Sequence, residues 1–245
     1  MLKKILKITG KILLGLLVVV LLFLIYFNFP LQKKDNSAKL GITFSHRYAS
    51  DIQLDWKKTF LAILDDLQVR KIRIPVYWDL VEKEEGKYDF SDVDWQLAEA
   101  QKRNADIILV VGQKVPRWPE CAIPEWAKQD DQKRKQALLK EISADFRRYR
   151  NNHPEMKYWQ VEDEPFLPFG ICPALDVNLL DSEIASGRAL DPTRPVIVTD
   201  SGELSLWIQA AKRADVFGTT MYRTIWKEGI GYFDYPIGPR FFRFK

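Results

Sequence analysis

The chain has 245 residues, 47% of them hydrophobic and 13% aromatic, which is enough apolar material for a full core and too much for a disordered polymer. The formal charge of +4 is unevenly placed: the first 38 residues hold six lysines (Lys3, Lys4, Lys7, Lys11, Lys33, Lys34) against one acid, Asp35, and the rest carries 31 basic and 32 acidic residues. A near-neutral body lacks the electrostatic footprint of a nucleic-acid binder, so no nucleic acid is expected as a partner.

Residues 12–27 are all apolar, aromatic or Gly, and with Asn28, Phe29, Pro30 and Leu31 the stretch reaches 20 residues. At about 1.5 Å rise per residue this spans roughly 30 Å, the thickness of a bilayer's hydrocarbon core. Four lysines within the first eleven residues place the N-terminus in the cytoplasm by the positive-inside rule. The expected organisation is a basic cytoplasmic end over 1–11, a single transmembrane anchor in the lipid bilayer over 12–31, a polar linker over 32–39, and an extracytoplasmic domain over 40–245. A cleaved signal peptide is the alternative, although its apolar core is normally shorter and Asn36-Ser37-Ala38 is a poor cleavage site. Both readings export the domain.

Beyond the linker, short apolar runs alternate with longer amphipathic stretches. Strands are expected over 40–44, 71–75, 106–111, 158–161, 195–199 and 216–220, and helices over 54–68, 93–103, 133–150, 176–190 and 204–213. Six strands separated by helices argue for a parallel sheet. A dinucleotide-binding fold would carry a Gly-rich loop after the first strand; here that turn reads Phe44-Ser45-His46-Arg47-Tyr48-Ala49-Ser50, with no glycine. The unusual residues Trp78, Gln113, Trp118, Glu164 and Tyr222 all follow strands, and in a barrel those positions converge on one face. The fold class expected is therefore α/β, a (β/α) TIM-type barrel with six of the eight units present, preceded by one transmembrane helix. Such a chain is expected to be a fragment or to be completed by another chain, because open first and sixth strands leave unpaired edges. The aromatic-rich segment 229–245 is expected to be a loop leading into a helix.

The two cysteines, Cys121 and Cys172, give no disulfide scaffold and no metal-ligand spacing. They fall on the loops after the third and fourth strands, which neighbour each other in a barrel, so a disulfide bracing the rim and two buried free thiols are both open. No metal and no cofactor is implied.

The sharpest local signal is Tyr158-Trp159-Gln160-Val161-Glu162-Asp163-Glu164-Pro165 at the end of the fourth strand. It resembles the W-x-x-x-N-E-P signature of clan A glycoside hydrolases, the (β/α)-barrel superfamily of endoglucanases, mannanases, xylanases and β-galactosidases. The resemblance implies that Glu164 is the general acid/base of a retaining double displacement on a β-linked carbohydrate, with an oligo- or polysaccharide as partner. In that mechanism a second carboxylate about 5 to 5.5 Å away attacks the anomeric carbon. The family carries it on the seventh strand, so the nucleophile is not assigned to any residue of this chain; Glu203, after the fifth strand, sits on the wrong strand. Three consecutive acids make a raised pKa plausible through like-charge repulsion. Asp163 departs from the family's asparagine, because a carboxylate accepts hydrogen bonds where an amide also donates them.

Weaker similarities surround this core. Arg73-Ile74-Pro75-Val76-Tyr77-Trp78 is similar to the family's R-x-P-x-x-W, which implies that Arg73 supports the nucleophile; a barrel-interior salt bridge is the plainer alternative. Gln113 stands where relatives often carry a substrate-binding histidine, and Tyr222 where they place a group that hydrogen-bonds the nucleophile. Trp78, Trp118 and Trp226 follow strands and are candidate sugar platforms, and His46 is a minor substrate-binding candidate, whereas Trp56, Trp95 and Trp207 are expected in the core. A rival reading from another class is a catalytically inactive, membrane-anchored carbohydrate-binding or cell-envelope module.

Overall fold

The computed structural model describes residues 2–29, 39–202, 205–227, 229–234, 238 and 240, in two compact units: 1–38 with 221–245, and 39–220.

In the first unit, α1 runs from Leu2–Asn28, long and apolar enough over Lys3–Asn28 to cross a membrane or to serve as a signal sequence. Lys3, Lys4, Lys7 and Lys11 lie on the first turns of this helix. Pro30, Leu31 and the linker up to Ala38 lie outside the described residues.

The second unit opens with β1 (Ile42–Thr43), α2 (His46–Asp51) and α3 (Trp56–Asp65). It continues through β2 (Lys71–Pro75), α4 (Trp78–Val81), α5 (Ser91–Lys102) and β3 (Asp106–Val111). Then follow α6 (Asp131–Tyr149), β4 (Met156–Val161), α7 (Val177–Leu190), β5 (Val196–Asp200), α8 (Ile208–Ala211) and β6 (Val216–Thr219). All six strands are parallel and lie in sequence order, β1-β2-β3-β4-β5-β6. A doubly wound sheet reverses its strand order at a switch point; an unbroken order is the mark of a barrel, and this sheet is a curled half-barrel clothed in helices.

Local chemistry sets the helix starts. Asp55, Asp130 and Asp176 each sit in extended backbone and accept hydrogen bonds from the first free N–H groups of α3, α6 and α7, and Ser45 does the same for α2. The α6 face made by Ala137, Leu138, Ile142, Phe146 and Tyr149 is buried at helical spacing. Phe146 stacks on Trp159 of β4 with ring centroids 3.8 Å apart, and Trp159 Nε1 donates to Asp191 Oδ2 at 2.9 Å. Both rings are fully buried, and each such side chain contributes roughly 1.5–3 kcal/mol.

Two expectations fail. The helix expected over 204–213 is only Ile208–Ala211, because Trp207 adopts a left-handed φ of 67° and its indole N–H is drawn back to the Ser201 carbonyl at 2.8 Å; Leu204 lies outside the described residues. The loop expected from 229 instead carries β8 (Gly231–Asp234), which pairs with the preceding β7 (Thr224–Lys227) in an antiparallel hairpin of the first unit. Gly229 (φ 80°) and Gly231 (φ 81°) supply its turn, and Thr, Ile, Trp, Tyr and Phe favour the pleated surface; 241–245 lie outside the described residues.

Gly187 of α7 lets Phe146 approach: a Cβ there would sit 2.5 Å from Phe146 Cζ. Gly→Ala in a helix interior ordinarily gains about 1 kcal/mol, whereas overpacking a rigid core costs about 1–3 kcal/mol. Phe146 is pinned against Trp159, so Gly187→Ala is expected to destabilise by about 1–2 kcal/mol and lower the melting temperature in near-UV circular dichroism. An unchanged or higher melting temperature would mean that the stack yields.

Candidate active site

The ends of β2, β3, β4 and β5 carry the polar groups of one cluster. After β4, the backbone turns left-handed at Glu162 (φ 58°) and again at Glu164 (φ 47°), so three consecutive acids point to three different environments. The Glu162 carboxylate is buried and accepts the backbone N–H groups of Gln113 (2.9 Å) and Lys114 (2.6 Å). Gly112 makes that approach possible, since a Cβ would lie 2.5 Å from Glu162 Oε1. Asp163 points into the half-barrel, where Oδ1 accepts from Arg73 Nη1 (3.2 Å), Gln160 Nε2 (2.9 Å) and Thr199 Oγ1 (3.0 Å). Glu164 donates its backbone N–H to Thr199 Oγ1 at 2.8 Å, and its Oε1 accepts from Thr220 Oγ1 at 2.8 Å. Lys114, itself buried, donates from Nζ to the carbonyls of Glu164 (2.9 Å) and Leu167 (2.6 Å).

The guanidinium of Arg73 also bonds Thr43 Oγ1 (3.0 Å) and Gln160 Oε1 (3.2 Å), so it is an interior ion-pair partner of Asp163. Gln113 accepts from Arg134 Nη1 through its Oε1. A cavity of about 360 Å³ lies behind the β4 loop, lined by Gln113, Arg134, Glu162, Glu183 and apolar side chains of the loop and α7. Glu164 is not part of its wall. Cys121 and Cys172 form a disulfide, Cα–Cα 5.3 Å, that ties the loop after β3 to the loop after β4. Trp118, 61% exposed, meets Phe169 edge-on at 6.2 Å beside this bridge.

Two candidates are corrected by burial. Trp78 is fully buried, with its indole N–H on Glu82 Oε2 at 2.6 Å, and offers no face to a sugar. His46 is packed between Trp56 and Tyr77 at 5.4 and 5.3 Å, and burial pushes its pKa down to about 4, so it is a neutral core ring. Tyr222 and Trp226 are exposed members of the first unit, and their assignment to the cleft stays a proposal. Thr199, Thr220, Gln160, Lys114 and Glu120 were not singled out in the sequence. The two threonines were within reach of the rule that located Glu164, since both stand at strand ends. Glu120 follows a cis Trp118-Pro119 bond, and burial, with Asp163 the next cause, pushes its carboxyl up to about 7. Among the described residues no group of three or more His, Cys, Asp or Glu is arranged for a metal ion.

No family model matches the chain, and no curated protein is significantly similar. Solved structures do share the fold. The β-galactosidase of the Antarctic haloarchaeon Halorubrum lacusprofundi superposes over 76% of this chain and 40% of its own, with TM-score 0.53 and 14% identity. The cold-adapted β-galactosidase of Rahnella sp. R3 covers 83% of this chain and 42% of its own (TM-score 0.57, 12% identity). GH5_18 from Streptomyces cattleya, solved with GlcNAc, covers 66% and 44% (TM-score 0.51, 13% identity). The chain thus shares the fold of these three structures over part of their length and spans less than half the length of each.

Burial holds five carboxyls above their ordinary range: Glu120, Glu162 and Asp145 at about 7, and Glu183 and Glu141 well above that of a free glutamate. The unfolded chain releases these protons near pH 4 to 4.5. The fold therefore loses stability as pH rises from there through 7 and beyond. His46 acts oppositely, being neutral in the fold down to about pH 4 but protonated in the unfolded chain below 6.5. Above pH 6.5 His46 no longer opposes the carboxyls, so the melting temperature is expected to fall by several degrees between pH 6.5 and 8.5. Glu141→Gln should flatten this dependence; a melting temperature that holds or rises over the window would contradict the buried-acid assignment.

Proposed function

We propose that the protein hydrolyses O-glycosidic bonds of a β-linked oligo- or polysaccharide by the retaining mechanism, with Glu164 as general acid/base. The observation that carries this reading is the tethering of Glu164 at the end of β4, with its backbone on Thr199 and its carboxyl on Thr220, on the face where barrel enzymes build their sites. A carboxyl there protonates the departing oxygen and, as carboxylate, later takes a proton from water. Asp163, held by Arg73, Gln160 and Thr199, offers a fixed acceptor for a ring hydroxyl beside it. Trp118 and Phe169 give the rim an aromatic ledge of the kind on which the C–H faces of sugars stack. The nucleophile is a carboxylate expected on a strand beyond β6 and is assigned to no residue here. Tyr222 and Trp226, exposed residues that follow β6 in sequence, are proposed as further sugar-binding groups, and α1 as a membrane anchor that leaves the domain extracytoplasmic.

The test is turnover of a panel of aryl β-glycosides. Glu164→Gln is expected to lower kcat/KM by about 10²–10⁴, the usual contribution of a positioned acid or base. Turnover that survives Glu164→Gln would refute the assignment. Sugars that raise the melting temperature without any glycoside being cleaved would replace it with the carbohydrate-binding reading.

A further inference from the structure

Thr220 stands directly after β6, and its position is set from two directions. Gly202, in the loop after β5, donates its backbone N–H to Thr220 Oγ1 at 3.1 Å. Only glycine fits at 202, since a Cβ there would lie 1.7 Å from the Thr220 carbonyl oxygen. That carbonyl also accepts from Thr219 Oγ1 at 3.0 Å, and a β-branched side chain has little rotamer freedom of its own. A hydroxyl carries one proton and two lone pairs. One lone pair takes the Gly202 N–H, and the proton goes to Glu164 Oε1 at 2.8 Å. Valine has the same branched shape, so the hydroxyl is what needs explaining.

Glu164 is gripped at two places by two neighbouring strands. Its backbone N–H is on Thr199 Oγ1 at 2.8 Å, and β5, which carries Thr199, pairs with β6 so that Thr199 lies opposite Gly218. Thr199 thus fixes where the side chain begins, and Thr220 fixes one of its two oxygens. A carboxylic acid bears its proton on one oxygen only. Because Oε1 accepts from Thr220, the proton of the acid form sits on Oε2.

We infer that Thr220 is the positioning residue of Glu164: by donating to Oε1 it places the transferable proton on Oε2 and stabilises the carboxylate that remains after transfer. This rests on the saccharide reading above. In that reading the Oε2–H bond breaks as an O–H bond forms on the departing glycosidic oxygen, and the bonding pair stays on Glu164. The charge so created is shared with Oε1, where the Thr220 hydroxyl already points. A hydrogen bond to an ionised group is roughly twice as strong as one between neutral groups, so Thr220 favours the product of the transfer over its starting state.

The experiment follows the pH dependence of kcat/KM of the full-length protein in detergent, with 4-nitrophenyl β-galactoside, β-glucoside and β-mannoside as substrates. Thr220→Val lacks the donor and is expected to lower kcat/KM at its optimum by about 5–20-fold. Its carboxylate is less stabilised, so the basic limb, where the acid loses its proton, should move up by about 0.5–1 pH unit. Thr220→Ser keeps the hydroxyl and should restore both. A threonine that only filled space would lower the rate without moving the limb. An unmoved limb in Thr220→Val, or a loss that Thr220→Ser does not repair, would overturn the inference while the saccharide reading stands. If none of the three glycosides is cleaved, the saccharide reading fails, and carbon-13 NMR of labelled glutamate carboxyls, with Glu164 assigned by its loss in Glu164→Gln, decides the contact itself. An upward-shifted Glu164 titration in Thr220→Val then supports the role of Thr220, and an unchanged one overturns it. Near-UV circular dichroism checks that each variant is folded, and Thr220→Ala, a second variant without the hydroxyl, keeps the test open if valine is not accommodated.

Discussion

A single carboxylate, Asp163, sits at the mouth of the half-barrel with its side chain only 13% exposed, and meeting its charge organises the strand ends around it. A charge taken out of water there is costly unless paired and fully hydrogen-bonded. Three side chains from three strands converge on one oxygen: Arg73 from β2, Gln160 from β4 and Thr199 from β5. Arg73 in turn reaches Thr43 on β1, so four of the six strands are coupled through one polar centre. Thr199 also takes the backbone N–H of Glu164, which makes the direction of the Glu164 side chain a consequence of how Asp163 is neutralised. Removing Arg73 would leave Asp163 uncompensated and loosen the frame that aims Glu164.

The parallel strands were legible because they are buried on both faces and read as continuous apolar runs, as in 71–75 and 106–111. The start of β4 was hidden, since exposed Lys157 interrupts the apolar run that begins at Met156. At the other extreme, 40–44 reads as a full strand, yet only Ile42 and Thr43 pair, because β1 has a neighbour on one side only among the described residues. The hairpin over Thr224–Lys227 and Gly231–Asp234 was missed for a different reason: its two glycines read as loop punctuation, whereas left-handed glycines are what a tight turn between strands requires.

In the site, sequence position identified which residues stand at strand ends, but it could not say which way each points. Trp78 and Trp118 both follow strands, yet one is sealed in the core by Glu82 and the other stands exposed on a loop pinned by a disulfide. His46 illustrates the same limit: three residues after the end of β1, it turns inward between Trp56 and Tyr77 because α2 begins at that very residue. Lys114 carries no motif at all. Its place comes from a turn whose closure depends on the pairing of Lys114 with Cys121, a contact with no local signature.

The run Glu162-Asp163-Glu164 shows how one short segment separates charges that would otherwise repel. Adjacent carboxylates along an extended strand would alternate faces and put the first and third acids on the same side. Left-handed turns at both outer positions break that alternation. The first acid goes backward into the protein, where burial keeps it protonated near neutrality and two backbone N–H groups hold it. The second goes inward to a guanidinium, and the third accepts a hydroxyl at the open face. Gly112 is the counterpart of the first turn, because any side chain there would occupy the space that the Glu162 carboxylate needs. The strain at 162 and 164 is thus the cost of giving three like groups three different environments.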